Sequence, residues 1–204
     1  MYHVIMCGGI GSRFWPMSTQ KVPKQFLKLI DNKSLLRLTV DRLLEIASPK
    51  QILLITSGKY KELIAFDLPD IPEENILYEP FPMNTAPAIY LVSKYIEMFN
   101  SDEIVGIYPA DHYIKDIDTF KENINNINQY ISSNSKDICT LGIKPSYPST
   151  SYGYIECEKN EKNGIYNVSK FKEKPDLDTA KKLIKNDQFV WNSGMFFFNV
   201  STMI

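Results

Sequence analysis

Short apolar runs alternate with amphipathic segments over residues 1–142 of the chain. The runs have the length and the Ile, Leu, Val and Tyr content of buried strands, whereas the segments between them place apolar residues at helical spacing. Ser34 precedes the first such segment and is suited to cap its helix. The predicted strands are Tyr2–Met6, 51–56, 75–78, 103–108 and 137–142. The predicted helices are 34–47, 86–99 and 118–131.

This alternation predicts an α/β fold with a largely parallel sheet that is covered by helices on both faces. The regular alternation of predicted strands and helices ends after residue 142. The segments predicted there are strands at 153–158 and Ile165–Lys172, a polar turn at 159–164, a helix at 177–186, a turn at 191–195 and a last apolar run at 195–200. We expect one domain over 1–204, with a smaller β-rich substrate lobe from residue 143. Because the chain stops at Ile204 directly after an apolar run, we also expect it to be incomplete at its C-terminus.

The composition is that of an ordinary soluble globular protein, because 44% of the 204 residues are hydrophobic and 23% are charged. A net charge of −1 provides no basic field for binding nucleic acid. No apolar run has the length of a membrane span, and no secretory signal begins the sequence. The 3 cysteines are widely spaced and form no C-x-x-C pair, which argues against a disulfide framework or a zinc site. We therefore expect a cytoplasmic protein that binds neither nucleic acid nor a membrane.

The segment from residue 7 to residue 26 carries the strongest chemical signal. Gly8, Gly9 and Gly11 closely follow the first predicted strand. Glycine allows successive backbone N–H groups to turn inward, which forms a concave site for a phosphate chain. Arg13 and Lys24 are two cations that can reach the same anion. Together these features indicate nucleoside triphosphate chemistry.

Familiar phosphate-binding motifs do not account for this segment. A P-loop requires Lys and then Ser or Thr directly after its last glycine, whereas Ser12 and Arg13 follow Gly11. A dinucleotide fingerprint requires a third glycine where Phe14 stands. The alternative is a glycine-rich turn without a ligand, and the two cations argue against it because a turn needs neither.

Asp111 follows the predicted strand 103–108, at the sheet edge where open α/β proteins bind ligands. A carboxylate is a hard oxygen ligand that suits Mg²⁺, and Mg²⁺ also binds phosphates. The alternative is a helix cap or a solvated turn residue. The neighbouring His112 is expected to hydrogen-bond locally rather than to bind a metal, because no second histidine lies near it in the sequence.

The loop that begins at Glu79 joins a predicted strand to a predicted helix. Asn84 or Thr85 can cap that helix, and capping alone explains much of the segment. Capping does not explain why a polar loop lies at the same sheet edge as the glycines.

Two later segments also leave their roles open. Glu173 and Lys174 form a carboxylate–cation pair that suits a ligand with hydroxyls and a phosphate, or an ordinary charged strand exit. Asn192 can offer a donor and an acceptor to sugar hydroxyls, or simply occupy a turn beside Trp191.

The order of these segments resembles the mannose-1-phosphate guanylyltransferase family of sugar nucleotidyltransferases. The matching strings extend over nearly the whole chain, and they are GGIGSRFWPMS, PKQFL, EPFPMNTAPAI, YPADH, SYGYIE, FKEKP and WNSGMF. The string PADH around Asp111 favours the mannose and guanylyl branch over the glucose and thymidylyl branch, whose members carry a GDN-like string there. The resemblance implies a Rossmann-like nucleotidyltransferase domain in which 1–142 binds the nucleotide and 143–204 binds the sugar phosphate.

The resemblance also implies a reaction and a set of site residues. GTP and mannose 1-phosphate would give GDP-mannose and pyrophosphate with Mg²⁺ as cofactor, and a homodimer would be compatible with the family. The implied nucleotide-binding residues are Gly8, Gly9, Gly11, Ser12, Arg13, Lys24, Glu79, Asn84 and Thr85. The implied catalytic residues are Arg13, Lys24 and Asp111, of which Asp111 would bind the metal. The implied sugar-phosphate residues are Gly153, Glu173, Lys174 and Asn192.

The chain departs from the family pattern in three places. Met83 stands where the family has an arginine, which removes one cation from the nucleotide side, and Ser151 replaces a glycine. The second metal-binding aspartate of the family would lie beyond Ile204. Two alternatives therefore stay open. One is a non-catalytic or regulatory nucleotide-sugar binding module, and the other is a related nucleotidyltransferase that acts on another sugar 1-phosphate.

Overall fold

The computed structural model describes residues 1–9, 14–19, 21–81, 85–162 and 164–204, and of residues 159–162 it describes the backbone alone. These residues form two compact units, which are Met1–Ile138 together with Phe197–Ile204, and Cys139–Phe196. The strands are β1 (Tyr2–Met6), β2 (Lys28–Ile30), β3 (Lys33–Ser34), β4 (Ile52–Ser57), β5 (Ile76–Glu79), β6 (Ile104–Pro109), β7 (Cys139–Ile143), β8 (Tyr154–Lys162), β9 (Ile165–Lys172) and β10 (Phe189–Asn199). The helices are α1 (Leu35–Leu44), α2 (Lys61–Asp67), α3 (Thr85–Glu97), α4 (Ile117–Ser133), α5 (Leu177–Leu183) and α6 (Val200–Met203).

The first unit is built on a parallel sheet with the strand order β5-β4-β1-β6. β1 lies between β4 and β6, and its residues Val4 and Ile5 are fully buried. Parallel strands that are buried on both faces appear in a sequence as continuous apolar runs, which is why β1, β4 and β6 are recognisable there. The predicted α/β fold with a mostly parallel sheet is confirmed.

The amphipathic pattern predicts helices α1, α3 and α4 to within three residues of their ends. Ser34 caps α1 as predicted, because its Oγ accepts the Arg37 N–H at 2.8 Å. Helix α2 and the small separate hairpin β2–β3 are not predicted, because each strand or helix is too short to show a recognisable periodicity. The hairpin turn nevertheless carries a local signal: Asp31 and Asn32 adopt positive φ angles of 49° and 56°, as a two-residue hairpin turn requires.

In the second unit β8 lies between β9 and β10, and both pairs are antiparallel. The predicted polar turn at 159–164 is wrong, because the hairpin continues until Lys162 pairs with Ile165. Polar residues suit such a hairpin, since β9 is exposed along almost its whole length. The predicted turn at 191–195 is also wrong. Those residues lie inside β10, where Gly194 absorbs a positive φ of 74° without ending the strand.

The predicted division at residue 142 concerns which ligand each part of the chain binds, and it stays a prediction. None of the helices within the described ranges is long and apolar enough to cross a membrane.

A buried histidine makes the stability of the first unit depend on pH. His3 on β1 is 3% exposed, and its Nδ1 lies 2.8 Å from the Tyr108 hydroxyl oxygen. Burial, assisted by the charge of the N-terminus, lowers the pKa of His3 to about 4. The folded protein therefore keeps this imidazole neutral at pH values at which the unfolded chain protonates it.

We expect the free energy of unfolding to fall as the pH decreases from 6.5 to about 4, because the unfolded state then binds a proton that the folded state does not. Between about pH 7 and about pH 4.5 the loss due to His3 is about 2 kcal/mol. The His3→Gln variant removes the titrating group and keeps a polar partner for Tyr108. Urea unfolding of both proteins at the two pH values measures the difference. His112, whose pKa is also lowered by burial, affects both proteins alike, so equal losses would contradict the shift at His3.

Candidate functional site

The carboxyl ends of the four parallel strands meet at one edge of the sheet in the first unit. β1 ends beside both β4 and β6, and Glu79 is the last residue of β5. Gly8 follows the end of β1, and Asp111 follows the end of β6. This edge is where open α/β sheets bind ligands, and it is therefore the candidate site of the first unit.

Lys24 and Asp111, two of the predicted site residues, form an ion pair at this edge. Lys24 Nζ lies 2.7 Å from Asp111 Oδ2, and the two side chains are 25% and 30% exposed. Lys24 Nζ also lies 4.5 Å from the centroid of the Phe14 ring, which adds a cation–π contact. The fold thus brings together a cation and a carboxylate that are far apart in the sequence, and it leaves both accessible to a ligand.

Gln25 explains why Lys24 is held at this edge. Lys24–Phe26 is a single turn of 3-10 helix, and Gln25 within it is buried. Gln25 Nε2 donates to the Cys7 carbonyl at 3.0 Å, and the Cys7 N–H donates to the Ile55 carbonyl at 2.8 Å. The turn that carries Lys24 is therefore tied to the end of β1. Gln25 is not among the residues predicted from the sequence, where its signal is a polar side chain beside an apolar one in the string PKQFL.

The two glycines directly beyond β1 differ in the space around them. A Cβ atom on Gly8 would lie 3.1 Å from Glu79 Oε2, so the glycine allows this buried carboxylate to approach the backbone. A Cβ atom on Gly9 would meet nothing within 4 Å in the described part of the chain. Gly9 is also exposed. The described residues therefore leave space for a ligand on this side of the Gly9 backbone, as the predicted phosphate site requires.

The structure describes only some of the remaining residues predicted for this site. The predicted positions that lie outside the described residues are Gly11, Ser12, Arg13 and Asn84, together with Met83. Thr85 is the first residue of α3 and is exposed.

The charge of Asp111 acts on buried neighbours. Burial raises the pKa of the Cys7 thiol, and the negative charge of Asp111 raises it further, so Cys7 is a protonated packing residue. Burial lowers the pKa of His112; the cations Arg42 and Lys24 lower it as well, and Asp111 opposes them. The His112 imidazole is therefore neutral at pH 7.

Asp111 is the candidate ligand for a metal ion in this unit. Among the described residues, no three His, Cys, Asp or Glu side chains form a cluster that could hold a metal. Mg²⁺ at nucleotide sites is held by one or two carboxylates together with phosphate oxygens and waters. A single accessible carboxylate fits that mode of binding, and it does not fit a metal site built from protein ligands alone.

In the second unit the predicted sugar-phosphate residues also lie close together. The Asn192 N–H donates to the Gly153 carbonyl at 2.8 Å, and a Cβ atom on Gly153 would lie 2.8 Å from Glu173 Oε2. Glu173 Oε1 pairs with Lys174 Nζ at 2.8 Å, and both side chains are more than half exposed. Gly153 directly precedes β8, Glu173 and Lys174 directly follow β9, and Asn192 lies within β10.

The acceptor atom of Asn192 is engaged within the protein. Its Oδ1 accepts the Gly194 N–H at 3.0 Å, which stabilises the irregular backbone of β10 at this point. The NH₂ group is therefore what this side chain offers to a ligand.

Comparisons of this chain with known families and with curated proteins agree with one another. A family model described as Nucleotidyl transferase matches residues 2–204. A mannose-1-phosphate guanylyltransferase of Escherichia coli is 38% identical over 207 residues, which cover 97% of this chain and 44% of the relative. A mannose-1-phosphate guanylyltransferase of Salmonella typhimurium is 38% identical over 205 residues, which cover 98% of this chain and 42% of the relative. The chain therefore spans less than half the length of these relatives.

A solved structure supports the same architecture. The mannose-1-phosphate geranyltransferase of Thermus thermophilus matches with a TM-score of 0.88 at 32% identity, over 99% of this chain and 58% of that chain. This likeness confirms the predicted Rossmann-like arrangement of sheet and helices.

Proposed function

Because this chain belongs to the nucleotidyl transferase family, we propose that it transfers GMP from GTP to mannose 1-phosphate, giving GDP-mannose and pyrophosphate. The names of relatives that are 38% identical support this substrate pair. The observation that carries the proposal is the ion pair of Lys24 and Asp111, 2.7 Å apart at the ligand-binding edge of the parallel sheet. A cation suited to phosphate oxygens and a carboxylate suited to Mg²⁺ lie side by side there, and these are the groups that attack on a phosphorus atom of GTP needs.

We assign the binding of the triphosphate to the bend beyond β1 and to Lys24. Gly8 and Gly9 let phosphate oxygens approach backbone N–H groups, and Lys24 offsets their charge. From sequence alone, the assignment also includes Gly11, Ser12, Arg13, Glu79, Asn84 and Thr85.

Mg²⁺ is the cofactor that this arrangement implies, and Asp111 is the residue that would hold it together with phosphate oxygens. The bound ion would supply positive charge for the transferring group and for pyrophosphate as it leaves. Asp111 has to be accessible to the ion, and its side chain is 30% exposed beside Lys24.

We assign the binding of the sugar phosphate to the second unit. Lys174 is suited to the phosphate, Glu173 is suited to accept hydrogen bonds from sugar hydroxyls, and the Asn192 NH₂ group is suited to donate to them. Gly153 keeps free the space that the Glu173 carboxylate occupies. A homodimer and a cytoplasmic location stay predictions.

The proposed reaction needs no side-chain nucleophile, because the attacking oxygen of the sugar 1-phosphate is already anionic. This oxygen attacks the α-phosphorus of GTP in line, the bond from that phosphorus to the bridging oxygen breaks, and pyrophosphate leaves. Lys24 offsets the charge that develops on the phosphate oxygens. Because Gln25 ties the Lys24 turn to β1, this cation is already in place before the substrates react.

Thermal unfolding with added nucleotides tests the proposal. GTP with Mg²⁺, at about 100 times its dissociation constant, should raise the free energy of unfolding by about 2.7 kcal/mol. ATP, UTP and dTTP at the same concentration should raise it less, and GTP with mannose 1-phosphate should release pyrophosphate. Equal stabilisation by all four nucleotides would overturn the choice of guanine, and stabilisation by none would overturn nucleotidyl transfer.

A substitution at Gly153 tests the assignment of the sugar-phosphate site. In Gly153→Ala the new Cβ atom would lie 2.8 Å from Glu173 Oε2 and 2.8 Å from Phe171 Cζ, so both side chains have to move. We expect the KM for mannose 1-phosphate to rise about tenfold, which corresponds to about 1.4 kcal/mol, while the KM for GTP stays unchanged. The control is Gly58→Ala, whose Cβ atom would meet no described atom within 4 Å. An unchanged KM for mannose 1-phosphate in Gly153→Ala would remove Glu173 from the site.

A further inference from the structure

Arg42 is a buried cation that pairs with no carboxylate of the described residues. It lies in the last turn of α1 and is 4% exposed. Burial lowers the pKa of Arg42 to about 10, and no carboxylate within the described ranges raises this pKa. The side chain is therefore still protonated at pH 7, deep inside the first unit.

The contacts of the guanidinium are few and specific. Nη1 donates to the His112 carbonyl at 3.2 Å, and Nη2 donates to the Thr39 hydroxyl at 3.4 Å. The group also lies 5.3 Å from the centroid of the Phe120 ring. Nε is buried and has no hydrogen-bond partner in the part of the chain that the structure describes.

Packing alone does not account for a charge at this position. Removing a cation from water costs several kcal/mol unless a partner compensates it, and Arg42 has one carbonyl, one hydroxyl and one ring. The C-terminal end of α1 offsets a part of this cost, since a helix C-terminus attracts cations. A methionine would fill similar space without any charge to desolvate. The guanidinium therefore has a role other than filling the core.

The position of these contacts suggests what that role is. Asp111 lies in a turn between β6 and α4, outside the strand ladder and the helix that fix the backbone on either side. The carbonyl that Arg42 binds belongs to His112, the residue directly after Asp111. On the other side, the Ala110 carbonyl lies 3.4 Å from the hydroxyl of Thr39. Helix α1 thus contacts the backbone carbonyls of the two residues that flank Asp111.

We propose that Arg42 is a positioning residue, which holds the turn at residues 110–112 so that the Asp111 carboxylate faces Lys24. That this orientation of Asp111 serves the binding of Mg²⁺ and GTP rests on the proposed function. The orientation itself does not. Of the two contacts to this turn, the one from Arg42 is the stronger. The Thr39 hydroxyl has a single hydrogen to donate, and the Leu35 carbonyl at 3.0 Å is nearer to it than the Ala110 carbonyl at 3.4 Å.

Three variants test the proposal. Arg42→Met keeps the length of the side chain and removes the charge, and Arg42→Lys keeps the charge and loses the forked geometry. Arg37→Met is the matched control, because Arg37 lies on the same helix and pairs with Asp70 away from the turn. One measurement is the crystal structure of each variant without ligands. The other is the affinity for Mn²⁺ in the presence of GTP, measured by electron paramagnetic resonance alongside the thermal unfolding midpoint.

In Arg42→Met we expect the turn to shift, the Asp111–Lys24 separation to exceed about 4 Å, and the affinity for Mn²⁺ to fall by roughly 10–100-fold. Arg42→Lys should recover part of this affinity, and it serves in place of Arg42→Met if that variant does not fold. Arg37→Met should lower the unfolding midpoint only. An unchanged turn and ion pair in the Arg42 variants would overturn the inference whatever the ligands do. The Arg42 variants could lose the ion pair while the unaltered protein binds no Mn²⁺ in the presence of GTP. That result would support the positioning role and overturn the proposed function.

Discussion

Replacing Lys24 with alanine is expected to slow the release of pyrophosphate by roughly 10²–10³-fold, while the protein stays folded. In the proposed reaction, a fixed cation at this position stabilises the transition state most strongly when charge moves onto the leaving oxygens. Folding should hardly depend on Lys24, since a partly exposed ion pair contributes about 1 kcal/mol or less. Steady-state turnover with GTP and mannose 1-phosphate measures the first effect, and thermal unfolding measures the second.

The matched control for Lys24→Ala is Lys21→Ala. Lys21 is exposed and lies three residues earlier, outside the turn that Gln25 anchors. This variant should turn over at the normal rate. If Lys24→Ala also turned over at a near-normal rate, Lys24 would not be the cation that serves the phosphates.

Replacing Asp111 with asparagine should abolish the effect of Mg²⁺ on GTP binding. The amide keeps the size of the side chain but loses the charge that a hard cation requires. We expect GTP to stabilise Asp111→Asn equally with Mg²⁺ and with a chelator, and turnover to fall on the order of 10²–10³-fold. Thermal unfolding across a Mg²⁺ titration measures the first effect independently of activity.

Asp118→Asn serves as the control for Asp111→Asn, because the Asp118 side chain is 98% exposed on α4. Its Mg²⁺ dependence should match that of the unaltered protein. A normal Mg²⁺ requirement in Asp111→Asn would mean that the metal is held elsewhere. The two predictions are linked, since removing either residue of the ion pair also leaves the other without its partner.

Most of the fold could be predicted because its signals are local. The buried strands β1, β4 and β6 are continuous apolar runs, and α1 carries both an amphipathic pattern and the Ser34 cap. The errors at 159–164 and 191–195 share a physical cause. In both segments residues typical of turns lie within a paired strand, because pairing with the neighbouring strand outweighs local preference.

The candidate site could be predicted only in part, because some of its contacts depend on the fold and not on local sequence. Lys24 and Asp111 are recognisable because their residue types suit a ligand. Gln25 and Arg42 were missed because they act on backbone carbonyls, those of Cys7 and His112, and such contacts depend on the three-dimensional path of the chain. Supporting residues of this kind leave little trace in a single sequence.

The distribution of the cysteines offers a practical route to labelling. Burial raises the pKa of the Cys7 thiol and also that of Cys157, but Cys7 is buried whereas Cys139 and Cys157 are only partly buried, and both of these belong to the second unit. A maleimide fluorophore added to the native chain should therefore attach to the second unit and spare the first. A change in the dye's fluorescence on adding mannose 1-phosphate would then support the proposed assignment of sugar-phosphate binding to the second unit, without an engineered cysteine.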